Sequence, residues 1–261
     1  MSERFPKEVP IARVSKKGHL AHVVIKAKDV TGAMASISAI LASEGVDVRQ
    51  SAAFAVDREG YYVYNAFVWL TKKGYPLEEL VAKLKASQFV IEVQAREGVE
   101  GSVVDTLAFP LQFEGTRAVM LETRALVSMF EALGSVLGTG GAVLLREQGY
   151  NYGKSQSADM AKTLTRPYMV RNYRYGLMML MATGWGVPKV LEASEDLAHA
   201  TVRVDECFEC VGREQAKESG YFMSGYLAGI FSFLSGKELQ GKETKCVAAG
   251  DDHCEIEVSH P

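Results

Sequence analysis

The four cysteines of this 261-residue chain all lie in its last quarter. Cys207 and Cys210 form a C-x-x-C pair. Cys246 and Cys254 belong to residues 243–258, in which strand-like residues flank a Gly-Asp-Asp turn. In a hairpin centred on this turn, Cys246 falls opposite Cys254. Directly opposed residues of an antiparallel pair have Cβ atoms about 4.5–5.5 Å apart, so the sequence predicts two thiols close enough to share a metal ion or a disulfide.

A metal site is the main interpretation of these cysteines. Zinc favours thiolate, imidazole and carboxylate ligands, usually four in a structural site, and Glu243 lies three residues before Cys246. We predict about one zinc per chain. Its ligands are the two hairpin cysteines, with Cys207, Cys210 or Glu243 completing the shell. The spacing is not that of a standard zinc finger or ribbon. Two alternatives stay open: four reduced thiols that pack as small apolar residues, or a disulfide.

Composition places the chain among globular proteins. Hydrophobic residues make up 48% of it, enough for a sizeable core, and its length suffices for two domains. The net charge of −3 does not indicate a nucleic-acid surface. No apolar run reaches the roughly 18 residues of a membrane span, and the polar N-terminal residues are unlike a signal peptide. We expect a soluble cytoplasmic protein without membrane or nucleic-acid partners, where stable disulfides are disfavoured.

The first compact unit is predicted at residues 19–98, after a polar arm at 1–18. Valine-, isoleucine- and aromatic-rich segments predict strands, and apolar residues spaced three and four apart predict helices. The resulting order is βαββαβ, an α+β arrangement of the ferredoxin-like type. The predicted segments, in chain order, are strand 19–28, helix 33–45, strands 46–56 and 61–71, helix 77–87 and strand 89–97.

The turn after the first strand carries a second candidate site. It reads Lys-Asp-Val-Thr-Gly-Ala-Met, and the following helix ends in Glu-Gly-Val. With the βαββαβ order, these features resemble an ACT domain over about residues 20–97. The resemblance implies a domain that pairs and binds an amino acid. A helix that begins at a glycine also offers unpaired N–H groups to a carboxylate. The alternative is a pairing domain without a ligand. The expected ligand-binding residues are Asp29, Gly32, Ala33 and Met34.

A second unit is predicted at residues 119–261, after a linker at 99–118 that holds two glycines and a proline. It combines helices with an antiparallel sheet, which makes the whole chain α/β (α+β). We expect the second of its helices to be interrupted around Gly149 and Gly153. The predicted segments are helices 120–138, 142–164 and 170–186, strands 188–194 and 200–209, helix 212–236 and the cysteine hairpin.

This second unit resembles the 4-vinyl-reductase (4VR) family. The matching features are R-E-x-G-Y-x-Y-G at residues 146–153, Gly-Trp-Gly at 184–186, G-Y-x-x-G at 225–229 and E-x-x-C-x7-C at 243–254. The family is similar to the phenol-sensing domains of bacterial activators and to TRAPP-type subunits. The resemblance implies a zinc site whose remaining ligand is a cysteine just before the glycine-tyrosine segment. Gly220 occupies that place here, which leaves the site one ligand short unless Cys207 or Cys210 replaces it.

Aromatic residues of this unit predict a pocket for a small apolar or aromatic molecule, the ligand class that the resemblance implies. Phe222 and Tyr226 are four apart and share one helix face. Gly225 and Gly229 each cost a helix interior roughly 1 kcal/mol relative to alanine. Either a ligand or a tightly packed neighbouring helix explains them, and each aromatic residue alone also fits an ordinary core. The predicted lining is Tyr168, Trp185, Tyr221, Phe222 and Tyr226.

The leading hypothesis is a ligand-sensing regulatory protein. Neither a helix-turn-helix nor an ATPase segment is recognisable, so its output would pass through a protein partner or a change in assembly. The apolar alternation of residues 61–69 predicts a homodimer. One alternative is a TRAPP-like assembly protein. The other, a reductase, would need a redox cofactor for which the sequence shows no binding motif. No nucleophile lies beside a base in a known order, so we assign no catalytic residue.

Overall fold

The computed structural model describes residues 5–15, 19–56, 59–72, 74–113, 115–210, 212–213 and 219–261. Parts of the predicted arm (1–4 and 16–18) and of the last predicted helix (214–218) lie outside these ranges. The chain divides into two compact units, Met1–Val119 and Met120–Pro261. Both combine helices with antiparallel sheets, which confirms the α+β class. Among the described residues, no helix is both long enough and apolar enough to span a membrane.

The first unit is built on a four-stranded antiparallel sheet with the spatial order β3-β4-β2-β5. Strands β2 to β5 and helices α1 and α2 reproduce the predicted βαββαβ order. The elements are β1 (Ala12–Val14), β2 (His19–Lys28), α1 (Ala33–Ser43), β3 (Val46–Val56), β4 (Tyr61–Leu70), α2 (Leu77–Lys85), β5 (Val90–Glu97), β6 (Ser102–Val104), β7 (Gln112–Phe113) and β8 (Thr116–Arg117).

Strand β4 is an inner strand that is covered on both faces by the same chain. Its even-numbered residues, such as Tyr64 and Val68, pack with α1 and α2. On the opposite face, Phe67 and Trp69 pack against Val103 of β6. The aromatic alternation that predicted a homodimer is therefore accounted for within the unit. The homodimer itself stays a prediction.

The segments on either side of this sheet differ from the sequence-based expectation. Strand β1 lies in the predicted arm and pairs antiparallel with β6, with Arg13 opposite Val103. Strand β6 lies in the predicted linker, and residues 99–118 belong to the first unit. Both strands have three residues, too few to show a period of two. Their pairing joins residues about ninety positions apart, so local sequence does not reveal it.

The second unit packs helices against a sheet of spatial order β11-β12-β10-β9, again antiparallel. The elements are α3 (Thr123–Leu137), α4 (Thr139–Leu164), α5 (Arg166–Arg171), α6 (Tyr173–Gly176), α7 (Met179–Ala182), β9 (Val187–Ala193), β10 (Ala200–Asp205), α8 (Tyr221–Ser235), β11 (Gln240–Lys245), a 3₁₀ turn (Val247–Ala249) and β12 (Cys254–Ser259).

Three predicted elements of this unit have different bounds. Helix α4 runs without a break through Gly149 and Gly153, because both glycines contact α8. The helix predicted at 170–186 is instead the short helices α6 and α7, with part of α5 before them. Helix α8 begins at Tyr221, where the buried carboxylates of Glu243 and Glu209 accept the backbone N–H groups of Gly220, Phe222 and Met223.

Candidate functional site

Four side chains from three separate segments meet in the second unit. Cys210 lies in the turn after β10, Glu243 lies on β11, Cys246 follows β11, and Cys254 is the first residue of β12. One ligand atom from each, a sulfur or a carboxylate oxygen, lies within 4.8 Å of all the others. The structure therefore brings together four of the five predicted metal ligands, which we call the cysteine-glutamate cluster.

The hairpin that carries three of these residues is longer than predicted. Strands β11 and β12 pair antiparallel, with Lys245 opposite Glu255. The Val-Ala-Ala segment, predicted to continue the first strand, is the 3₁₀ turn. Asp251 stabilises this connection, because its carboxylate accepts the Cys246 N–H at 2.8 Å. Cys246 and Cys254 are both buried, at the two ends of the connection between β11 and β12.

The C-x-x-C pair is divided between two positions. The Cys210 sulfur lies 3.7 Å from a Glu243 oxygen and belongs to the cluster. Cys207 is buried beside the cluster. Its interaction with Cys210 lowers the pKa of its thiol, but the interaction with Cys254 and burial outweigh this effect and raise that pKa. All four cysteines are free thiols.

Ser219 is a residue of this site that sequence analysis missed. Its hydroxyl donates to the Cys210 sulfur at 3.3 Å and lies 3.2 Å from the Cys246 sulfur. Its backbone N–H donates to Glu243 at 3.3 Å. The available signal was its position next to Gly220, where the family resemblance places a cysteine. Ser219 is fully buried and contacts three of the candidate ligands.

The Glu243 carboxylate fills the space that a side chain at position 220 would need. It accepts the Gly220 N–H at 3.2 Å, and a Cβ added to Gly220 would overlap its Oε1 atom. A cysteine at position 220 would therefore require Glu243 to move. The structure places Cys210 in the cluster instead. The cluster therefore has four candidate ligands although position 220 is a glycine.

The buried groups of the cluster shift one another's pKa values in opposite directions. Hydrogen bonds from Cys207, Cys210 and Cys246 lower the pKa of Cys254. Hydrogen bonding with Cys207 raises the pKa of the Cys210 thiol the most, and hydrogen bonding with Cys246 and Cys254 raises it further. Burial raises the pKa of the Glu243 carboxyl group against the opposing effect of its backbone hydrogen bonds. Buried thiols and carboxyls of this kind ionise together only when a cation balances their charge.

The donor set fits one zinc ion. Zinc binds cysteine sulfur at about 2.3 Å and carboxylate oxygen at about 2.0–2.2 Å, so the ligand atoms of a tetrahedral site lie about 3.6–3.8 Å from one another. The four candidate atoms lie within 4.8 Å of one another, so side-chain movements of about 1 Å would bring them to these separations. Thiol and carboxyl groups are also the chemical types that structural zinc selects.

A second group of side chains, the aromatic cluster, lies between α4, α8 and the loop before β9. Trp185 is at its centre, with ring centroids 4.9 Å from Tyr226, 5.7 Å from Tyr152 and 5.7 Å from Phe222. Phe208 is 5.4 Å from Trp185 on another side. Because these rings contact one another, a ligand that enters among them must displace at least one ring.

The predicted pocket lining is only partly brought together. Trp185, Phe222 and Tyr226 belong to the aromatic cluster, whereas Tyr168 lies on α5 and is 44% exposed. Tyr221 faces the Arg146 guanidinium group, 5.0 Å from its ring centroid. Sequence analysis missed Tyr152 and Phe208. Tyr152 lies in the R-E-x-G-Y-x-Y-G motif, which was a usable signal, whereas no local pattern distinguished Phe208.

Glycines allow α4 and α8 to approach within backbone contact. A Cβ added to Gly225 would overlap the Arg146 carbonyl oxygen, and one added to Gly229 would overlap that of Tyr150. Reciprocally, Gly149 and Gly153 contact backbone carbonyls of α8. Of the two explanations offered for the α8 glycines, the packed helix is the one that the structure shows. This crossing also places Tyr152 beside Tyr226, at 5.6 Å between centroids.

The predicted amino-acid site of the first unit lies at an accessible helix N-terminus. Gly32 precedes α1 with a positive φ of 92°, and a Cβ built on it meets no atom within 4 Å. Asp29 and Gly32 are exposed, and Met34 is half-buried. Ala33 is fully buried against the core, so only its backbone is available to a ligand. Amino-acid binding by these residues stays a prediction.

Several solved structures are similar to part of this chain. The phenol-responsive sensory domain of the transcription activator PoxR matches 55% of this chain and 77% of that domain, at 24% identity and TM-score 0.46. A trafficking protein particle complex subunit 3 from Naegleria fowleri, covalently bound to palmitic acid, matches 52% and 93%, at 16% identity and TM-score 0.41. The ACT domain of a GTP pyrophosphokinase from Chlorobium tepidum matches 31% and 100%, at 22% identity and TM-score 0.27. No curated protein matches the sequence.

A protein-family model matches the segment that carries the candidate metal ligands. This segment runs from β10 through α8 to β12 and contains the complete cysteine-glutamate cluster. The expected resemblance of the second unit is thereby confirmed over this part of the chain. Residues 200–260 match the model of the V4R domain.

Proposed function

We propose that this protein is a ligand-sensing regulatory protein whose second unit binds a small apolar or aromatic molecule. The observation that carries the proposal is the aromatic cluster around Trp185, which combines apolar ring faces with one fixed polar group. Burial raises the pKa of Tyr226, and its hydroxyl donates to Gln156 Oε1 at 2.5 Å. An aromatic ligand would stack against these rings near that hydroxyl.

Tyr152 lies at the position where such a ligand would enter the aromatic cluster. Its side chain is 44% exposed, whereas that of Tyr226 is 5% exposed, so Tyr152 is the ring that can move towards solvent. In the proposed mechanism a ligand takes the place of the Tyr152 ring against Trp185. The change in α4 would then be passed to a protein partner or to the assembly state.

Thermal unfolding with phenol tests the ligand proposal. Phenol should raise the melting temperature of the wild-type protein in a concentration-dependent way, because a ligand of the folded state adds binding free energy. Trp185→Ala should remove this effect, and Tyr168→Ala, on the exposed face of α5, should keep it. If neither phenol nor larger aromatic and aliphatic compounds stabilise the wild-type protein, the sensing role of this unit is wrong.

The second part of the proposal is a structural zinc ion bound by the cysteine-glutamate cluster. The convergence of three thiols and one carboxylate supports it. When bound, zinc would connect the C-x-x-C turn to the hairpin and add its binding free energy to folding. Elemental analysis of protein purified without chelator should find about one zinc per chain. Cys246→Ser should reduce that content strongly, and a wild-type content far below one would contradict the proposal.

The third part concerns the first unit, for which we propose amino-acid binding at the N-terminus of α1. The open space at Gly32 and the exposure of Asp29 support it. Calorimetric titration with the common amino acids should reveal a ligand whose binding is lost in Asp29→Ala and retained in Asp47→Ala, a control on the exposed side of β3. Absence of heat for every amino acid would favour a pairing domain instead.

An assembly role is the second candidate function. Apolar side chains on α3 and α4 are exposed, among them Met129 (56%), Val136 (78%) and Val143 (57%). A protein surface of this composition commonly contacts another protein. Light scattering should show a homodimer at micromolar concentration. If the protein is a dimer and no ligand changes its stability, the assembly role is favoured over sensing. A monomer would contradict both the predicted homodimer and the assembly role.

A further inference from the structure

The segment from Cys207 to Cys210 contacts both candidate sites of the second unit. Its four residues are buried, at 1%, 5%, 0% and 1% exposure in chain order. A hydrogen bond from the Cys210 N–H to the Cys207 carbonyl closes them into a tight turn. A displacement of one side chain in such a buried turn moves its neighbours as well.

Phe208 belongs to the aromatic cluster. Its ring centroid is 5.4 Å from that of Trp185, 6.4 Å from Phe222 and 6.3 Å from Phe130. Its backbone N–H donates to the Trp185 carbonyl at 2.9 Å. The position of Trp185 is therefore fixed by Phe208 through both backbone and side chain.

Glu209 connects the same turn to α8. Its two carboxylate oxygens accept the backbone N–H groups of Phe222 at 3.0 Å and of Met223 at 2.9 Å. A carboxylate at this end of a helix binds donors that the helix itself leaves unpaired. Because α8 carries Phe222 and Tyr226, the turn also sets the position of these two rings.

Cys210 supplies the connection to the cysteine-glutamate cluster. Its sulfur lies 3.7 Å from Glu243 and accepts the Ser219 hydroxyl at 3.3 Å. This candidate zinc ligand directly follows Glu209 in the chain. Only Glu209 separates it from Phe208, whose backbone N–H donates to the Trp185 carbonyl. Zinc that fixes the Cys210 sulfur therefore restricts the whole turn.

We infer that the 207–210 turn couples zinc binding to the aromatic cluster, with Phe208 and Glu209 as positioning residues. This inference rests on the proposed zinc and aromatic sites. Zinc would order the turn and hold Phe208 against Trp185, so an aromatic ligand binds a preformed set of rings. By linkage, the ligand increases the affinity for zinc by the same factor as zinc increases the affinity for the ligand.

Tryptophan fluorescence of the full chain tests the coupling directly. The chain has two tryptophans, Trp69 and Trp185, so Trp69→Phe leaves Trp185 as the reporter. Zinc added to metal-free protein should change the Trp185 emission with a midpoint equal to that of zinc binding. Phenol, used as the aromatic probe, should bind the zinc-loaded form at least about fivefold more tightly than the metal-free form.

Phe208→Leu should bind zinc with unchanged stoichiometry but lose most of the emission change. Phe130→Leu is the matched control, because Phe130 is buried to a similar extent and contacts Phe208 and Phe222 without belonging to the turn. It should keep the emission change.

The outcomes separate the inference from the proposals beneath it. Zinc bound at one per chain, with Trp185 emission unchanged, would overturn the coupling and leave the zinc site standing. No bound zinc in the wild-type protein would overturn both. The zinc titration of the Trp69→Phe protein keeps wild-type side chains throughout the turn. It therefore tests the coupling even if Phe208→Leu does not fold.

Discussion

Each unit of this protein contains a buried cluster of polar side chains, and the two clusters are built differently. In the first unit, His22 Nε2 donates to Asn65 Oδ1 at 2.7 Å, and Asn65 Nδ2 donates to Asp105 Oδ2 at 2.6 Å. Asp105 also accepts the backbone N–H groups of Leu107 and Ala108. Donors and acceptors alternate along this chain of contacts, so the cluster satisfies most of its own hydrogen-bonding capacity.

In the second unit, four potential ligand atoms converge and few donors face them. Apart from the thiols themselves, the donors among the described residues come from Ser219 and Gly220, whereas three sulfurs and a carboxylate share one buried space. A cluster of this kind lacks the positive charge that its ionised form needs. A cluster of buried polar side chains therefore does not by itself mark a functional site. The balance of donors and acceptors distinguishes a structural network from a cation site.

Removal of zinc should have the largest effect and should be confined to the second unit. At zinc concentrations a thousandfold above the dissociation constant, binding stabilises the folded state by about 4 kcal/mol. A chelator, or Cys246→Ser, should therefore accelerate amide hydrogen exchange in α8 and β12 while leaving β2 and β4 unchanged. Equal acceleration in both units would remove the distinction between the two clusters.

Gly225→Ala should have the next largest effect, also in the second unit. The added methyl group would overlap the Arg146 carbonyl oxygen of α4, and neither backbone can move without disturbing the other. We expect a loss of about 3 kcal/mol in the free energy of unfolding, measured by urea denaturation. Gly134→Ala is the control, because a Cβ at that position of α3 meets no atom within 4 Å. That change should leave stability equal or slightly higher.

Asn65→Leu should destabilise the first unit by about 2 kcal/mol, because it leaves His22 and Asp105 without the amide that joins them. The loss should be the same with and without zinc. Gln94→Leu, at an exposed position of β5, should change the free energy of unfolding by less than about 0.5 kcal/mol. A zinc-dependent effect of Asn65→Leu would show that the first-unit cluster is not a purely structural network.

The smallest predicted effect is a pH dependence in the first unit. Hydrogen bonds from Lys83 and Tyr75 lower the pKa of Glu44 below its ordinary value. A carboxyl with a lowered folded-state pKa stabilises the fold above its unfolded-state pKa of about 4.3, and this contribution is lost as the pH falls through the folded-state value. Urea denaturation at several pH values should show a loss of stability on acidification that is smaller in Glu44→Gln. Glu78→Gln, an exposed control on α2, should retain the wild-type dependence.

Local sequence patterns determined the order of strands and helices in the first unit. The periods of two and 3.6 residues extend over β2, β4 and α1, and the observed bounds of these elements lie close to the predicted ones. The cysteine hairpin was also predictable, because its turn and the two cysteines lie within twelve residues of one another. These features depend on contacts between residues that are near in the chain.

Only the tertiary structure decided which residues complete each site. It placed Cys210 rather than Cys207 in the four-residue cluster, and it put the Glu243 carboxylate where a side chain at position 220 would lie. It also assigned the α8 glycines to contact with α4 and placed Phe208 beside Trp185. Each of these contacts joins segments that are more than twenty residues apart. Their geometry depends on how whole elements pack, a property that spacing along the chain does not encode.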